Sequence, residues 1–354
     1  MTNIIALNVP LRREALTDQS AALIDAFGRH RRHTDDVFWL KENAELLNIL
    51  ECTGAQVSQQ VLSGHGQVYH ELPERISFFP QYYRFLLSIC LDLEDLGIGG
   101  QQGEKLCAWV AEQGLAEAEL SDLQRAEAFR LLARRGVQPV CDAGLNARLH
   151  KFIERSDTFA LPNKKAAYEL THIVFYLSEY GRKDPELSAR AIRSLNFAGV
   201  LAYLDQNADL LAEICVALRY AGAQPSAIWE TWVMSVMSAF EVVEGADIDV
   251  ADDYHAYFVS GWLARLKGQI VTTKELSGGR VKFNAPSVAF GPLRDMSACL
   301  YEMGSGRSDD WSVMRPMIEQ DMDQTGRDTL SLACRSVDDF GVFFEGFARM
   351  KFAR

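Results

Sequence analysis

The stretch AAYELTHIVFYL, residues 166–177, decides the fold class. Its apolar residues at positions 170, 173, 174 and 177 recur at the spacing that places side chains on one face of an α-helix. Asn163 stands where it can cap the first turn of this helix, and Gly181 follows its last turn. Because phrases of this kind recur along the chain, the sequence predicts an all-α fold.

Glycines close the helical phrases at a regular spacing. A glycine just past a helix end takes the left-handed conformation that other residues resist, so each one predicts a helix stop. The intervals run from 39 residues (97 to 136) to 46 residues (222 to 268), which leaves room for two helices and two short turns. This spacing predicts repeated helix pairs with a period of about 42 residues. The predicted stops are Gly54, Gly97, Gly136, Gly181, Gly222 and Gly268.

The repeat predicts a single domain over residues 1–354, built from antiparallel helix pairs. Such pairs close into an α/α toroid or stay open as an α-solenoid. The inner helices of a toroid need a second face that carries selected polar and aromatic residues. The helix at 166–177 has this face, and the sequence therefore favours a closed toroid, with the open solenoid as the alternative. The residues of the second face are Tyr168, Glu169, His172, Phe175, Tyr176 and Glu179.

One segment interrupts the helical pattern. Residues 269–273 and 280–283 are rich in β-branched residues and flank Gly278 and Gly279. This pattern predicts a small β-hairpin near 269–283, within an insertion over 269–288. Such an insertion either covers the mouth of a site or is a surface addition.

Charge and cysteine usage limit the partners and the compartment. The chain carries a net charge of −12, which repels phosphate backbones and anionic headgroups, so we expect no nucleic acid and no membrane as partners. Its seven cysteines are scattered singly, which is typical of a reducing compartment. The start of the chain lacks signal-peptide features, and no apolar run approaches about 18 residues. We therefore expect a cytoplasmic protein, whose oligomeric state the sequence does not fix.

The candidate site has five residues, three of which share one phase of the repeat. His172 precedes Glu213 by 41 residues, and Glu213 precedes His255 by 42. Glu169 and Asp252 each precede their histidine by three residues, which places carboxylate and imidazole on one helix face. The predicted catalytic residues are Glu169, His172, Glu213 and His255. The predicted metal ligands are the same four residues and Asp252.

Three interpretations of this set remain open. A carboxylate and an imidazole one turn apart can chelate a metal, and two imidazoles with carboxylates suit Fe, Mn or Zn. The carboxylates can instead orient the imidazoles for acid–base catalysis. The histidines can also be core residues that bond to neighbouring carboxylates. No nucleotide-binding motif is present. The sequence thus predicts an enzyme or binder of a small molecule with a polar central cavity, or alternatively a helical-repeat scaffold without catalytic activity.

Two phrases carry a resemblance to a known group of proteins. The sequence ELTH at 169–172 is followed by FYL, and Tyr254 and His255 are followed by Val259. Over residues 140–268 the chain resembles an uncharacterised family of bacterial all-helical proteins, some of them linked to small-molecule biosynthesis. The resemblance implies a toroid-like fold and a shared polar site, without a known reaction.

Overall fold

The computed structural model describes residues 19–138, 142–269, 276, 279–320 and 322–349. In this part of the chain, 67% of the residues are helical, in 17 α-helices, and one small antiparallel sheet has two strands. The predicted helical class is therefore confirmed, while toroid closure and the repeat period stay predictions. No helix within the described residues is both long enough and apolar enough to cross a membrane.

The elements follow one another with short connections. A π-helical segment, Ala26–His30, continues the helical residues 19–25. The elements after it are α1 Val37–Cys52, α2 Gln59–Leu62, α3 Gly66–Phe78, α4 Tyr83–Leu96, α5 Gln102–Glu112, α6 Asp122–Ala133, α7 Leu145–Ile153, α8 Ser156–Phe159, α9 Lys164–Leu177, α10 Ala189–Leu204, α11 Ala208–Tyr220, α12 Ala227–Ser238, β1 Glu241–Glu244, α13 Tyr254–Leu266, β2 Val281–Asn284, α14 Leu293–Met303, α15 Trp311–Gln320, α16 Gln324–Arg335 and α17 Phe340–Ala348.

Two compact units contain these elements. The first unit lies within Met1–Asp142 and Ser238–Ala285, and the second lies within Ala143–Met237 and Pro286–Arg354. The first unit holds α1–α6, the sheet and α13, whereas the second holds α7–α12 and α14–α17. The single domain expected over 1–354 stays a prediction, because compactness alone does not test whether either unit folds by itself.

The helix ends follow the glycine pattern of the sequence. All six predicted stops have a positive φ, from 63° at Gly268 to 101° at Gly97, so these stops are confirmed. Asn163 caps α9 as predicted, since its side chain accepts a hydrogen bond from the backbone N–H of Ala166 at 3.1 Å. Asn207 caps α11 in the same way.

The sheet differs from the predicted hairpin. The predicted second strand, 280–283, corresponds to β2, but β2 pairs antiparallel with β1, with Val242 opposite Phe283. The two paired strands are therefore separated in sequence by α13. Of the predicted first strand, residues 270–273 lie outside the described residues. The physical reason is packing, because Val242 and Phe283 are both buried and Phe283 lies 4.4 Å from the Tyr257 ring of α13.

Helix α10 lies at the centre of the second unit. It packs against α8, α11 and α16, and most of its residues from 194 onward are buried. Gly199 is the point of closest approach. A Cβ atom at this position would lie 2.5 Å from Cη2 of Trp229, an indole that is fully buried on α12. The missing side chain therefore makes room for the tryptophan.

Replacing Gly199 with alanine is expected to lower the free energy of unfolding by about 1–3 kcal/mol, because the buried indole has to shift. This loss exceeds the gain of about 1 kcal/mol that alanine brings to a helix interior. Urea unfolding followed by circular dichroism measures the change. Gly341→Ala is the control, since an added Cβ in α17 meets no atom within 4 Å. Equal stability of the two variants would contradict the close approach.

Candidate functional site

A group of polar side chains joins α9 and α11 in the second unit, and we call it the polar cluster. Thr171 donates a hydrogen bond to Glu213 at 2.6 Å, and Tyr168 donates one to Asp209 at 2.7 Å. Nδ1 of His172 lies 3.9 Å from Oε2 of Glu213. The structure thus brings together two of the predicted residues, His172 and Glu213.

The apolar faces of the two helices hold these side chains in place. Helix α9 buries Leu170, Ile173 and Val174, and it packs against α11. On α11, the side chain of Glu213 is only 2% exposed, and its chain neighbours Ala212 and Ile214 are apolar and buried. A carboxylate in such surroundings needs hydrogen-bond donors, and Thr171 is one of them. Glu213 is therefore a positioned group and no ordinary surface acid.

The hydrogen bonding of His172 defines which ring nitrogen is available. Nδ1 lies 2.7 Å from the carbonyl oxygen of Tyr168, which can only accept, so Nδ1 carries the proton. In the neutral ring Nε2 then holds the lone pair. The side chain is 36% exposed, so a ligand can reach it. The rings of Phe175 and Tyr176 contact the imidazole edge-on, which fixes its plane.

Tyr168 is a hydrogen-bond donor in this cluster. Burial raises the pKa of its hydroxyl well above the usual range, and the nearby carboxylates of Asp209 and Glu213 raise it further. The phenol therefore stays protonated and cannot act as a phenolate base. Glu169 lies half-buried on α9, three residues before His172.

The other two predicted residues lie in the first unit, and Asp252 is part of a buried ion pair there. Its two oxygens accept hydrogen bonds from the guanidinium of Arg31 at 2.8 and 3.0 Å. The backbone N–H of Phe283 donates to the same carboxylate at 2.8 Å. These donors hold Asp252 in a buried structural pair, and its role as a metal ligand stays a prediction.

His255 lies half-buried near the start of α13. Its Nε2 is 4.0 Å from Oε1 of Glu45, a residue of α1 outside the predicted set. Burial and the charge of Glu45 also raise the pKa of the neighbouring Tyr254, so this phenol stays protonated. The structure therefore pairs His255 with a carboxylate of its own unit.

Comparison with known proteins assigns the chain to a family. Residues 1–350 match the model of a family described as domain of unknown function DUF6902. The chain belongs to this family. No curated protein and no solved structure matches the chain. The resemblance to bacterial all-helical proteins stays a prediction, and any function has to be argued from the site.

Sequence analysis missed Asp209 as a member of the polar cluster. It lies four residues before Glu213, on the same face of α11, and 41 residues after Tyr168. The spacing of 41 residues that relates His172 to Glu213 therefore also relates Tyr168 to Asp209. Applying this spacing to every polar residue of the helix at 166–177 would have found the pair.

Proposed function

We propose that this protein binds and transforms a small molecule at the polar cluster, with His172 as the acid–base residue. The hydrogen bond from Nδ1 to the Tyr168 carbonyl is the observation that supports this most directly. It leaves Nε2 of a part-exposed ring as a base with a defined direction.

In this proposal the neighbours of His172 have separate roles. Nε2 takes a proton from the substrate, and the resulting imidazolium is stabilised by the carboxylate of Glu213, 3.9 Å from Nδ1. The hydroxyl of Thr171 holds that carboxylate in position. Once a substrate is known, loss of His172 should lower kcat by about 10²–10⁴-fold, the usual contribution of a positioned acid–base group.

Metal-assisted chemistry is a second candidate at the same cluster. Asp209 and Glu213 each offer an oxygen within 4.8 Å of the other, a separation that one ion can bridge. Glu169 and His172 lie one turn apart on the facing helix. Imidazole with carboxylates suits Fe, Mn or Zn better than Mg or Ca, which prefer oxygen ligands alone.

The tautomer of His172 tests the acid–base proposal without a substrate. Long-range ¹H–¹⁵N correlation spectra should show that the neutral form of the ring has its proton on Nδ1, because the Tyr168 carbonyl accepts from that atom. The spectrum of His172→Gln identifies the signal. A neutral ring with its proton on Nε2 would refute the acid–base role, since the exposed nitrogen would then be a donor.

Metal uptake tests the second candidate. Equilibrium dialysis of the wild type against Fe²⁺, Mn²⁺ and Zn²⁺ is compared with Asp209→Asn and Glu213→Gln, which change the two carboxylates whose oxygens lie close together. If the cluster binds metal, both variants should lose affinity at least about tenfold, with unchanged helical circular dichroism. His70→Ala, at an exposed position of α3, should bind as the wild type does. A wild type that takes up none of these ions removes the metal candidate and leaves the acid–base proposal to its own test.

A further inference from the structure

The first unit has a large groove that the polar cluster does not explain. It has a volume of about 690 Å³ and lies among the start of α1, the second half of α3 and the start of α4. We call it the acidic groove. Its lining includes both apolar and charged side chains, among them Val37, Glu71, Glu74, Arg75, Phe78 and Phe79.

Apolar side chains protrude at this groove. Phe78 is 75% exposed, Phe79 is 44% exposed and Val37 is 42% exposed. The two phenylalanine rings meet edge to face at 4.8 Å, and the exposed Phe38 follows Val37 in the chain. Large apolar side chains that stay in water and gather at one place mark interaction sites, because covering them is favourable.

The charge of the groove selects the kind of partner. The described lining has three carboxylates, Asp35, Glu71 and Glu74, and one guanidinium, Arg75. Arg75 already pairs with Glu71 at 2.8 Å and with Asp35 at 3.7 Å, and it donates to the Thr34 carbonyl at 2.9 Å. Three negative groups and one positive group leave a local charge of −2, which attracts cations and repels anions.

We propose that the acidic groove docks a segment of a partner protein that carries lysine or arginine beside large apolar side chains. The exposed rings of Phe78 and Phe79 would pack against the apolar residues of the segment, while the exposed carboxylate of Glu74 would face its basic residues. A protein segment fits better than a small amine because the apolar side chains protrude and need a broad surface to cover them. The groove lies in the first unit and the polar cluster in the second, so failure of the proposed function would leave the docking proposal unaffected.

Fluorescence anisotropy with two labelled synthetic peptides tests the proposal. The basic amphipathic peptide LKKLLKLLKKLLKL should bind the full chain with a Kd in the micromolar range, on the order of 10 μM. Its acidic analogue LEELLELLEELLEL should not bind. Phe78→Ser and Glu74→Gln should each raise the Kd of the basic peptide roughly tenfold. Both substitutions change exposed side chains, so the fold should tolerate them.

The control separates docking from general attraction to an acidic protein. Glu104→Gln removes the same charge from an exposed position of α5 outside the groove, and it should leave binding unchanged. Equal weakening by Glu104→Gln and Glu74→Gln, with no effect of Phe78→Ser, would show non-specific attraction and overturn the proposal. Absence of binding, or equal binding of the two peptides, would overturn it as well.

Discussion

Replacing Arg31 with alanine is expected to lower the free energy of unfolding by about 3–5 kcal/mol. The guanidinium is fully buried and bonds to Asp252 and Glu42, whose side chains are buried too. Burial alone would lower the pKa of Arg31, but the hydrogen bonds to the two carboxylates outweigh it and raise that pKa. The substitution therefore leaves Asp252 buried as a charge without its cation.

The surroundings of Arg31 add to this effect. Its guanidinium lies over the ring of Phe27, 4.5 Å from the centroid, and donates to the carbonyl of Val281 in β2. Loss of the side chain thus removes packing in the core and one hydrogen bond between the sheet and the segment that precedes α1. Glu42 is affected less, because Arg32 also donates to it at 2.6 Å.

Urea unfolding, followed by both tryptophan fluorescence and circular dichroism, measures the change. Arg315→Ala is the matched control, because Arg315 pairs with Glu319 on the exposed surface of α15 at 2.7 Å. Such exposed pairs contribute at most about 1 kcal/mol, so this variant should unfold close to the wild type. If Arg31→Ala is no less stable than Arg315→Ala, the buried network does not hold the first unit together.

Local signals made the helical class and the helix ends predictable. The apolar spacing at 166–177 and the glycine after it depend only on neighbouring residues, and the structure has both the helix and the left-handed Gly181. The partner of β2 was not predictable in this way. Strand β1 precedes α13 in the chain whereas β2 follows it, and a pairing over such a sequence separation leaves no signal in the residues next to β2.

The candidate site, too, was predictable only in part. The repeat spacing pointed to His172 and Glu213, which are neighbours in the structure. It gave no hint of the partner of Asp252, because Arg31 lies 221 residues earlier in the chain. His65 is a third case. The Gly-rich sequence around it is typical of a surface loop, yet its side chain is fully buried.

The environment of His65 determines how it can titrate. Asn43 donates to the carbonyls of Phe27 and Trp39, so its Oδ1 faces His65 and accepts from Nε2 at 2.7 Å. The Nδ1 atom of His65 is buried without a hydrogen-bond partner in the described part of the chain. A second proton on the ring would therefore be a buried charge with no acceptor. Burial, with a smaller effect from the charge of Arg29, lowers the pKa of His65 to about 4.

Acidification is therefore expected to destabilise the protein through His65. The pKa is about 4 in the folded chain and about 6.5 in the unfolded chain, so between these values only the unfolded chain takes up the proton. Stability attributable to His65 is complete above pH 6.5 and falls by about 3 kcal/mol as the pH drops to 4.

Urea unfolding between pH 7 and pH 4 should therefore show a steeper loss of stability for the wild type than for His65→Gln, which keeps a donor for Asn43 and cannot titrate. Carboxylates affect both proteins alike, so the difference between the two curves isolates the histidine. Parallel curves would mean that His65 is protonated in the folded chain and that its Nδ1 has an acceptor.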